Sequence, residues 1–157
     1  MPLLLLLLLC SCAPTPGSAP PSPLLSGPPL ALVGQYGDLP VEGSMDRSCM
    51  AGVGSIDLRI LSFPRPLVCT AFLDTPPTAK GRVRGRLDCQ DRTSFLLTLR
   101  NLGPERGIAL GLAPDSSTLL VLMYDSSREK AALGLPDILS DMDRALGIRA
   151  SPLSGEE

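Results

Sequence analysis

Residues 81–111 read GRVRGRLDCQDRTSFLLTLRNLGPERGIALG, and this stretch indicates the type of fold. Charged side chains alternate with small or apolar ones throughout Arg82–Cys89. Alternation of period two is typical of a strand with one buried face. Turn residues at 90–93 and 103–104 separate this segment from two further short apolar segments. The stretch therefore predicts three consecutive antiparallel strands.

Similar segments lie on both sides of this stretch. The predicted strands are Ser55–Ser62, Leu67–Leu73, Arg82–Cys89, Ser94–Arg100, Gly107–Leu112 and Thr118–Tyr124. Glycines and Pro40 divide residues 30–54 into short extended pieces and turns. Short strands at this spacing favour a mainly β domain over residues 30–125, in which an antiparallel meander forms a sandwich or a barrel.

The apolar period changes after residue 125. A capping box that begins at Ser126 is expected to start a helix, and Gly134 is expected to end it. Pro136 fits the first position of a second helix. We therefore predict one or two short helices over residues 126–147, followed by a disordered tail over residues 148–157.

The chain begins MPLLLLLLLCSCAPTPGSAPPSP. Its leucine run is too short to cross a bilayer, which needs about 20 residues, but it suits the apolar core of a signal peptide. Leu9–Cys12 resembles a bacterial lipobox, which implies that residues 1–11 are a signal peptide and that Cys12 is lipidated. Residues 12–29, rich in proline, then form a disordered tether. The alternatives are plain secretion and a buried N-terminal strand.

The lipobox resemblance implies a location in the bacterial cell envelope, with the domain anchored to a membrane by lipid and facing the periplasm. Ala13 follows Cys12, whereas an acidic residue there is associated with retention in the inner membrane of enteric bacteria. This favours the outer membrane. Plain secretion would instead give a soluble periplasmic or secreted protein.

Five cysteines occur in the chain. Cys10 falls in the predicted signal peptide and Cys12 at the lipid site, so Cys49, Cys69 and Cys89 remain for the domain. An odd number in an oxidising compartment leaves one cysteine free or linked to another chain. Their 20-residue spacing differs from the close pairs of zinc sites, and we predict no metal and no cofactor.

A hairpin register identifies the pair. If the residue numbers of facing positions sum to 158, Cys69 faces Cys89 on the apolar side of two predicted strands. The same register places Asp74 opposite Arg84, which is a favourable cross-strand pair. We therefore predict a Cys69–Cys89 disulfide and leave Cys49 free or linked to another chain.

The stretch 81–111 resembles the core of small uncharacterised proteobacterial lipoproteins. In these proteins a glycine-rich strand ends in cysteine, an acidic turn follows, and two strands lead to a Gly-x-x-x-Gly pair, here Gly107 and Gly111. That family often has Asp-Gly-Arg after the cysteine, whereas this chain has Asp91-Arg92-Thr93. The resemblance implies a β-meander and an envelope location, and it implies no catalytic residues.

Positive charge is concentrated in one part of the chain. Residues 80–106 carry a net charge of +4, and the remainder of the chain carries −6. Arg82, Arg84 and Arg86 share one side of a predicted strand and are candidates for contact with an anionic lipid or glycan surface. The alternative is that they cover the sheet and pair with neighbouring acids. Aromatic residues, at 3%, are too few for stacking on nucleic acid, which we exclude as a partner.

The chain contains no histidine, which excludes Ser–His and Cys–His nucleophile arrangements. Ser127–Lys130 matches S-x-x-K, but the companion S-D-N and K-T-G elements do not occur, and helix capping explains the same residues. We predict no catalytic residues. The expected function is that of a non-enzymatic envelope lipoprotein that binds a protein, lipid or glycan partner. The alternative is a small periplasmic hydrolase or transferase with an unrecognised site.

Overall fold

The structure is a computed structural model that describes residues 26–62, 64–114 and 118–146. Within these ranges it has eight strands, a 3₁₀ helix and one α-helix. The elements are β1 (Leu30–Tyr36), β2 (Leu39–Met45), the 3₁₀ helix (Arg47–Ala51), β3 (Val53–Ile60), β4 (Leu67–Asp74), β5 (Arg82–Cys89), β6 (Ser94–Asn101), β7 (Gly107–Leu112), β8 (Leu119–Asp125) and α1 (Arg128–Leu146). The predicted signal peptide and tail, and most of the tether with Cys12, lie outside the described residues.

The strands form a closed antiparallel barrel in chain order. Each strand pairs with its neighbours in the chain, and β1 closes the barrel by pairing with β8 from Ala31–Asp125 to Tyr36–Leu120. The predicted mainly β meander is therefore confirmed, and closure of β1 on β8 decides between the sandwich and the barrel.

Residues 30–54 are more regular than their sequence predicts, because they contain two complete strands. Glycines and Pro40 lower the intrinsic preference of this segment for a strand. Gly34 nevertheless pairs with Val41 on one side and with Leu122 on the other. Hydrogen bonding along both edges of β1 outweighs the weak local preference.

Apolar side chains fill the interior of the barrel. The largest of them are at most 1% exposed: Leu30, Leu32, Met45, Ile56, Leu58, Ile60, Leu87, Phe95, Leu97, Leu99, Leu120 and Tyr124. Each such side chain contributes about 1.5–3 kcal/mol through its removal from water. Because the interior is a packed core, binding or chemistry has to use the outer surface or the ends of the barrel.

A second apolar layer lies outside the barrel, under α1. Val121 and Met123 on the outer side of β8 pack against Ala131 and Leu135 of the helix. Ile138, Leu139 and Met142 extend the same contact toward the C-terminal end of α1. Among the described residues, no helix combines the length and the apolar character needed to cross a membrane.

The C-terminal segment is one helix of 19 residues and not two. The expected helix end at Gly134 and the second start at Pro136 are wrong. Gly134 instead lies within the helix, against the side chain of Met123 on β8. A proline inside a helix costs about 3 kcal/mol. Apolar contacts before and after Pro136 hold the helix on the barrel and outweigh that cost.

The start of α1 also differs from the prediction by one residue. The hydroxyl of Ser127 accepts a hydrogen bond from the backbone N–H of Lys130 at 3.3 Å, so Ser127 is the capping residue. Ser126 Oγ instead accepts a hydrogen bond from Lys130 Nζ at 3.1 Å. The S-x-x-K residues are thus used to begin the helix.

Arg47 holds the start of the described chain against the barrel. This side chain is only 8% exposed, and its Nε donates a hydrogen bond to the carbonyl oxygen of Pro28 at 2.8 Å. Its guanidinium also forms an ion pair with Glu105. The chain is therefore fixed from Pro28 onward, two residues before β1 begins.

Candidate functional site

The predicted hairpin register between β4 and β5 is observed where the cysteines lie. Cys69 pairs with Cys89, and Ala71 with Leu87. The two Sγ atoms are 1.97 Å apart, which is a disulfide bond, and the two Cα atoms are 3.9 Å apart. The two cysteines face each other at a position where the paired residues share no backbone hydrogen bonds. Cα atoms of an antiparallel pair approach most closely at such positions. Cys49 is the remaining cysteine among the described residues, and it is free and buried.

This register ends after Ala71–Leu87, so the predicted pairing of Asp74 with Arg84 is wrong. Among the described residues, Asp74 forms no ion pair with Arg84. The N–H of Thr75 donates to the carbonyl oxygen of Gly52 at 2.9 Å, which continues the β3–β4 pairing one step beyond Val53–Asp74. The arginines of β5 therefore have no acidic partner on β4.

The outer surface of β4, β5 and β6 carries four arginines and two exposed apolar side chains. We call these residues the basic face: Phe72, Arg82, Arg84, Arg86, Leu96 and Arg100. The β5–β6 register places Arg82 opposite Arg100 and Arg86 opposite Leu96. The sequence pattern predicted the three arginines of β5, whereas Arg100 and Leu96 join them through strand pairing.

Most of the positive charge on the basic face is not neutralised by nearby acids. Arg86 donates to Asp88 at 2.7 Å, and both side chains are exposed, so this pair contributes at most about 1 kcal/mol. Within the part of the chain that the structure describes, Arg82, Arg84 and Arg100 form no ion pair. Opposed like charges such as Arg82 and Arg100 are destabilising. Among the described residues, Arg86 is therefore the one arginine of the basic face that is paired with a neighbouring acid.

Two large apolar side chains lie among these arginines. Phe72 is 83% exposed and Leu96 is 62% exposed. Phe72 follows Ala71 on β4, and the next side chain, Leu73, still packs against Gly85 of β5. Phe72 therefore lies beside Arg86, which itself faces Leu96. Single exposed apolar residues are common, but two large ones close together on one outer surface are a feature of interaction surfaces.

A polar cluster closes the barrel at the end covered by the 3₁₀ helix. Asp46 Oδ2 accepts hydrogen bonds from the N–H of Ser55 at 2.9 Å and from its hydroxyl at 2.8 Å. The buried hydroxyl of Tyr124 donates to Asn101 Oδ1, and the Cys49 thiol donates to the Ser55 carbonyl oxygen at 3.3 Å. Each polar group in this cluster has a partner, as buried polar groups require.

This cluster does not supply an activated nucleophile. Burial, followed by the nearby charge of Asp46, raises the pKa of Cys49 to about 11. A reactive cysteine needs the opposite shift, because the thiolate is the nucleophile. Burial raises the pKa of Tyr124 as well. Cys49 therefore remains a protonated, buried thiol near neutral pH.

A cleft of about 530 Å³ lies outside the barrel, across β1–β4, and the start of α1 borders it. Its charged lining residues are Glu42, Asp57, Arg59 and Arg128. Arg128 and Glu42 form a salt bridge of 2.7 Å across the cleft. None of the basic-face residues lines this cleft. The two surfaces are separate features of the barrel.

The described residues contain no group of three or more histidine, cysteine or acidic side chains placed to hold a metal ion. The proposed lipid site, Cys12, lies outside the described residues. No protein-family model, curated protein or solved structure matches this chain. The chemistry of the described residues therefore carries the functional argument.

Proposed function

We propose that this chain is a non-enzymatic lipoprotein of the bacterial cell envelope, and that its barrel binds an anionic partner through the basic face. The observation that carries the binding proposal is the group of Arg82, Arg84 and Arg100, which share one outer surface without an ion pair among the described residues. Positive charge that the protein leaves unpaired is available to a negatively charged partner.

The lipobox-like Leu9–Cys12 segment supports the lipid anchor. A thioether-linked diacylglycerol and an N-acyl chain on Cys12 would exceed the two hydrophobic signals that stable anchoring needs. Residues 12–27, which precede the point at which Arg47 fixes the chain, are rich in proline and would connect the barrel to the anchor as an extended tether. The proposed location is the periplasmic side of the envelope, most consistent with the outer membrane.

Three features support binding over a hydrolase or transferase activity. The chain has no histidine, so the commonest general base is missing. Cys49 is buried with a raised pKa, which opposes its use as a nucleophile. Ser127 caps α1 through the backbone of Lys130.

Metabolic labelling with a clickable fatty acid tests the anchor. We expect label on the wild-type chain and none on Cys12→Ala when both are expressed in a bacterial host. A Cys10→Ala variant is the matched control and should keep the label. Equal labelling of wild type and Cys12→Ala, or no labelling of either, would refute lipidation at Cys12.

Charge reversal tests the basic face. In a Cys12→Ala background, the Arg82→Glu/Arg84→Glu/Arg100→Glu variant should bind anionic vesicles or dextran sulfate at least tenfold more weakly, since each arginine near an anionic surface contributes about 1 kcal/mol. The difference should shrink in 1 M salt, where the Debye length falls to about 3 Å.

A second triple variant controls for net charge. Arg65→Glu/Lys130→Glu/Arg144→Glu changes the charge by the same amount at exposed positions outside the basic face. It should bind almost as well as the parent chain. Equal weakening by both variants would show a nonspecific charge effect. Equal binding by all three chains would leave the face without a role, and either result would reject the proposal.

A further inference from the structure

We infer that the anionic partner of the basic face is the surface of a lipid bilayer and that Phe72 and Leu96 enter its headgroup region. This inference rests on the proposed function and names the partner class. It follows from the combination of unpaired arginines and exposed apolar side chains on one outer surface. Neither group alone distinguishes a membrane from another anionic partner.

The two exposed apolar residues lie on either side of the arginine-bearing strand β5. Phe72 on β4 and Leu96 on β6 flank β5, and both side chains point outward, with Arg86 opposite Leu96. Adjacent strands are about 4.8 Å apart, so roughly 10 Å separates β4 from β6. A fluid bilayer surface that follows the curve of the barrel over this distance would therefore contact both side chains.

The arginines suit the same orientation. Arg82, Arg84 and Arg100 lie toward one end of the face, and Arg86 lies between the two apolar side chains. Long arginine side chains can lay their methylene groups along apolar surface while the guanidinium contacts lipid phosphate. This mixture of basic and large apolar residues is what interfacial membrane contacts use.

Two aspartates on the outer side of the same strands oppose this contact. Asp88 is held in its ion pair with Arg86. Asp74 is exposed at the end of β4 and forms no ion pair among the described residues. The four arginines still outnumber these acids, so the face as a whole attracts an anionic surface.

The form of the face favours a bilayer over a glycan or an acidic protein. The strands belong to a closed barrel and therefore present a convex outer surface, and the cleft across β1–β4 includes no basic-face residue. A stable protein partner needs about 800 Å² of complementary surface on each side. A polyanionic glycan would gain little binding free energy from contact with the exposed side chain of Leu96. A fluid bilayer adapts to a convex surface and gains from both apolar side chains.

A single tryptophan provides the test, because the chain contains none. In the Cys12→Ala chain, Phe72→Trp would place one fluorophore on the face. We expect its emission to shift to the blue with vesicles of equal phosphatidylglycerol and phosphatidylcholine. We also expect quenching by brominated acyl chains. Pure phosphatidylcholine vesicles, or addition of the Arg82→Glu/Arg84→Glu/Arg100→Glu changes, should abolish both effects.

Leu133→Trp is the matched control, because Leu133 is 79% exposed on α1. Its emission should not change with the same vesicles. A separate Phe72→Ala variant should bind the anionic vesicles about tenfold more weakly, because it loses the burial of an aromatic side chain in the bilayer. The Leu133→Ala variant should bind like the parent chain.

The outcomes separate this inference from the proposed function. Arginine-dependent binding without a blue shift in the Phe72→Trp variant would refute insertion and leave an electrostatic binding face. Arginine-dependent binding to dextran sulfate or polyglutamate, with no binding to vesicles, would identify a glycan or acidic protein as the partner class and refute the membrane. Equal shifts in the Phe72→Trp and Leu133→Trp variants would show that contact is not specific to the basic face, which would also overturn the inference.

Discussion

Removal of the Cys69–Cys89 disulfide should weaken the barrel at the β4–β5 boundary. The bond closes a loop with a sequence separation of 20 residues. Chain-entropy reasoning assigns about 3 kcal/mol to a crosslink of this length, because it restricts the unfolded chain. We therefore expect the Cys69→Ala/Cys89→Ala variant to lose about 3 kcal/mol from its free energy of unfolding.

The position of the bond predicts where the effect is largest. The β4–β5 register has three residue pairs, whereas the β3–β4 register has eight. Because β4 and β5 have fewer residue pairs, the disulfide provides a larger part of the interaction that holds these two strands together. Backbone amides of β5 should therefore lose more hydrogen-exchange protection than those of β3 when the bond is absent.

Urea unfolding with and without reductant is the assay. Cys69 is fully buried and Cys89 is 8% exposed, so reduction should proceed through the unfolded chain. Reductant should lower the stability of the wild type toward that of the double variant and leave the variant unchanged. The control Cys49→Ala removes a buried thiol outside the bond and should keep its response to reductant. A double variant within about 0.5 kcal/mol of wild type would refute the loop-closure argument.

Two further predictions concern single residues. Arg92 has φ +73°, a conformation that disfavours side chains with a Cβ, so Arg92→Gly should raise the free energy of unfolding by about 0.5–1 kcal/mol in urea titrations, and a loss of stability would contradict this. Burial raises the pKa of Cys49 from 9.0 to about 11, so the folded state retains a proton that the unfolded chain releases. The stabilisation that the protonated Cys49 thiol contributes is fully present below pH 9, and the free energy of unfolding should fall by about 2 kcal/mol by pH 10.5. The Cys49→Ala variant should show a smaller fall in the same titration.

The features that the sequence predicted well depend on neighbours in the chain. Alternation in Arg82–Cys89 assigns each side chain to one side of a strand from local geometry alone. Facing residues of an antiparallel hairpin have a constant sum of residue numbers, so Cys69 and Cys89 could be paired without a structure. The exposure of Phe72 follows from the same alternation.

Errors arose where distant contacts outweighed local signals. Pro136 and Gly134 read as helix boundaries, yet packing of α1 on β8 carries the helix through both. The predicted Asp74–Arg84 pair is absent because backbone pairing between β4 and β5 ends at Ala71–Leu87, whereas Asp74 stays paired with Val53 of β3.

The sequence by itself therefore determined the mainly β class, most strand positions, the disulfide pair and the basic strand β5. These follow from period-two alternation and hairpin register, which act over a few residues. Tertiary structure decided that β1 and β8 close a barrel, because Ala31 and Asp125 pair across nearly the whole described chain. It also brought Arg100 and Leu96 beside Arg82 and Arg86, since only strand pairing determines which outward side chains share a surface.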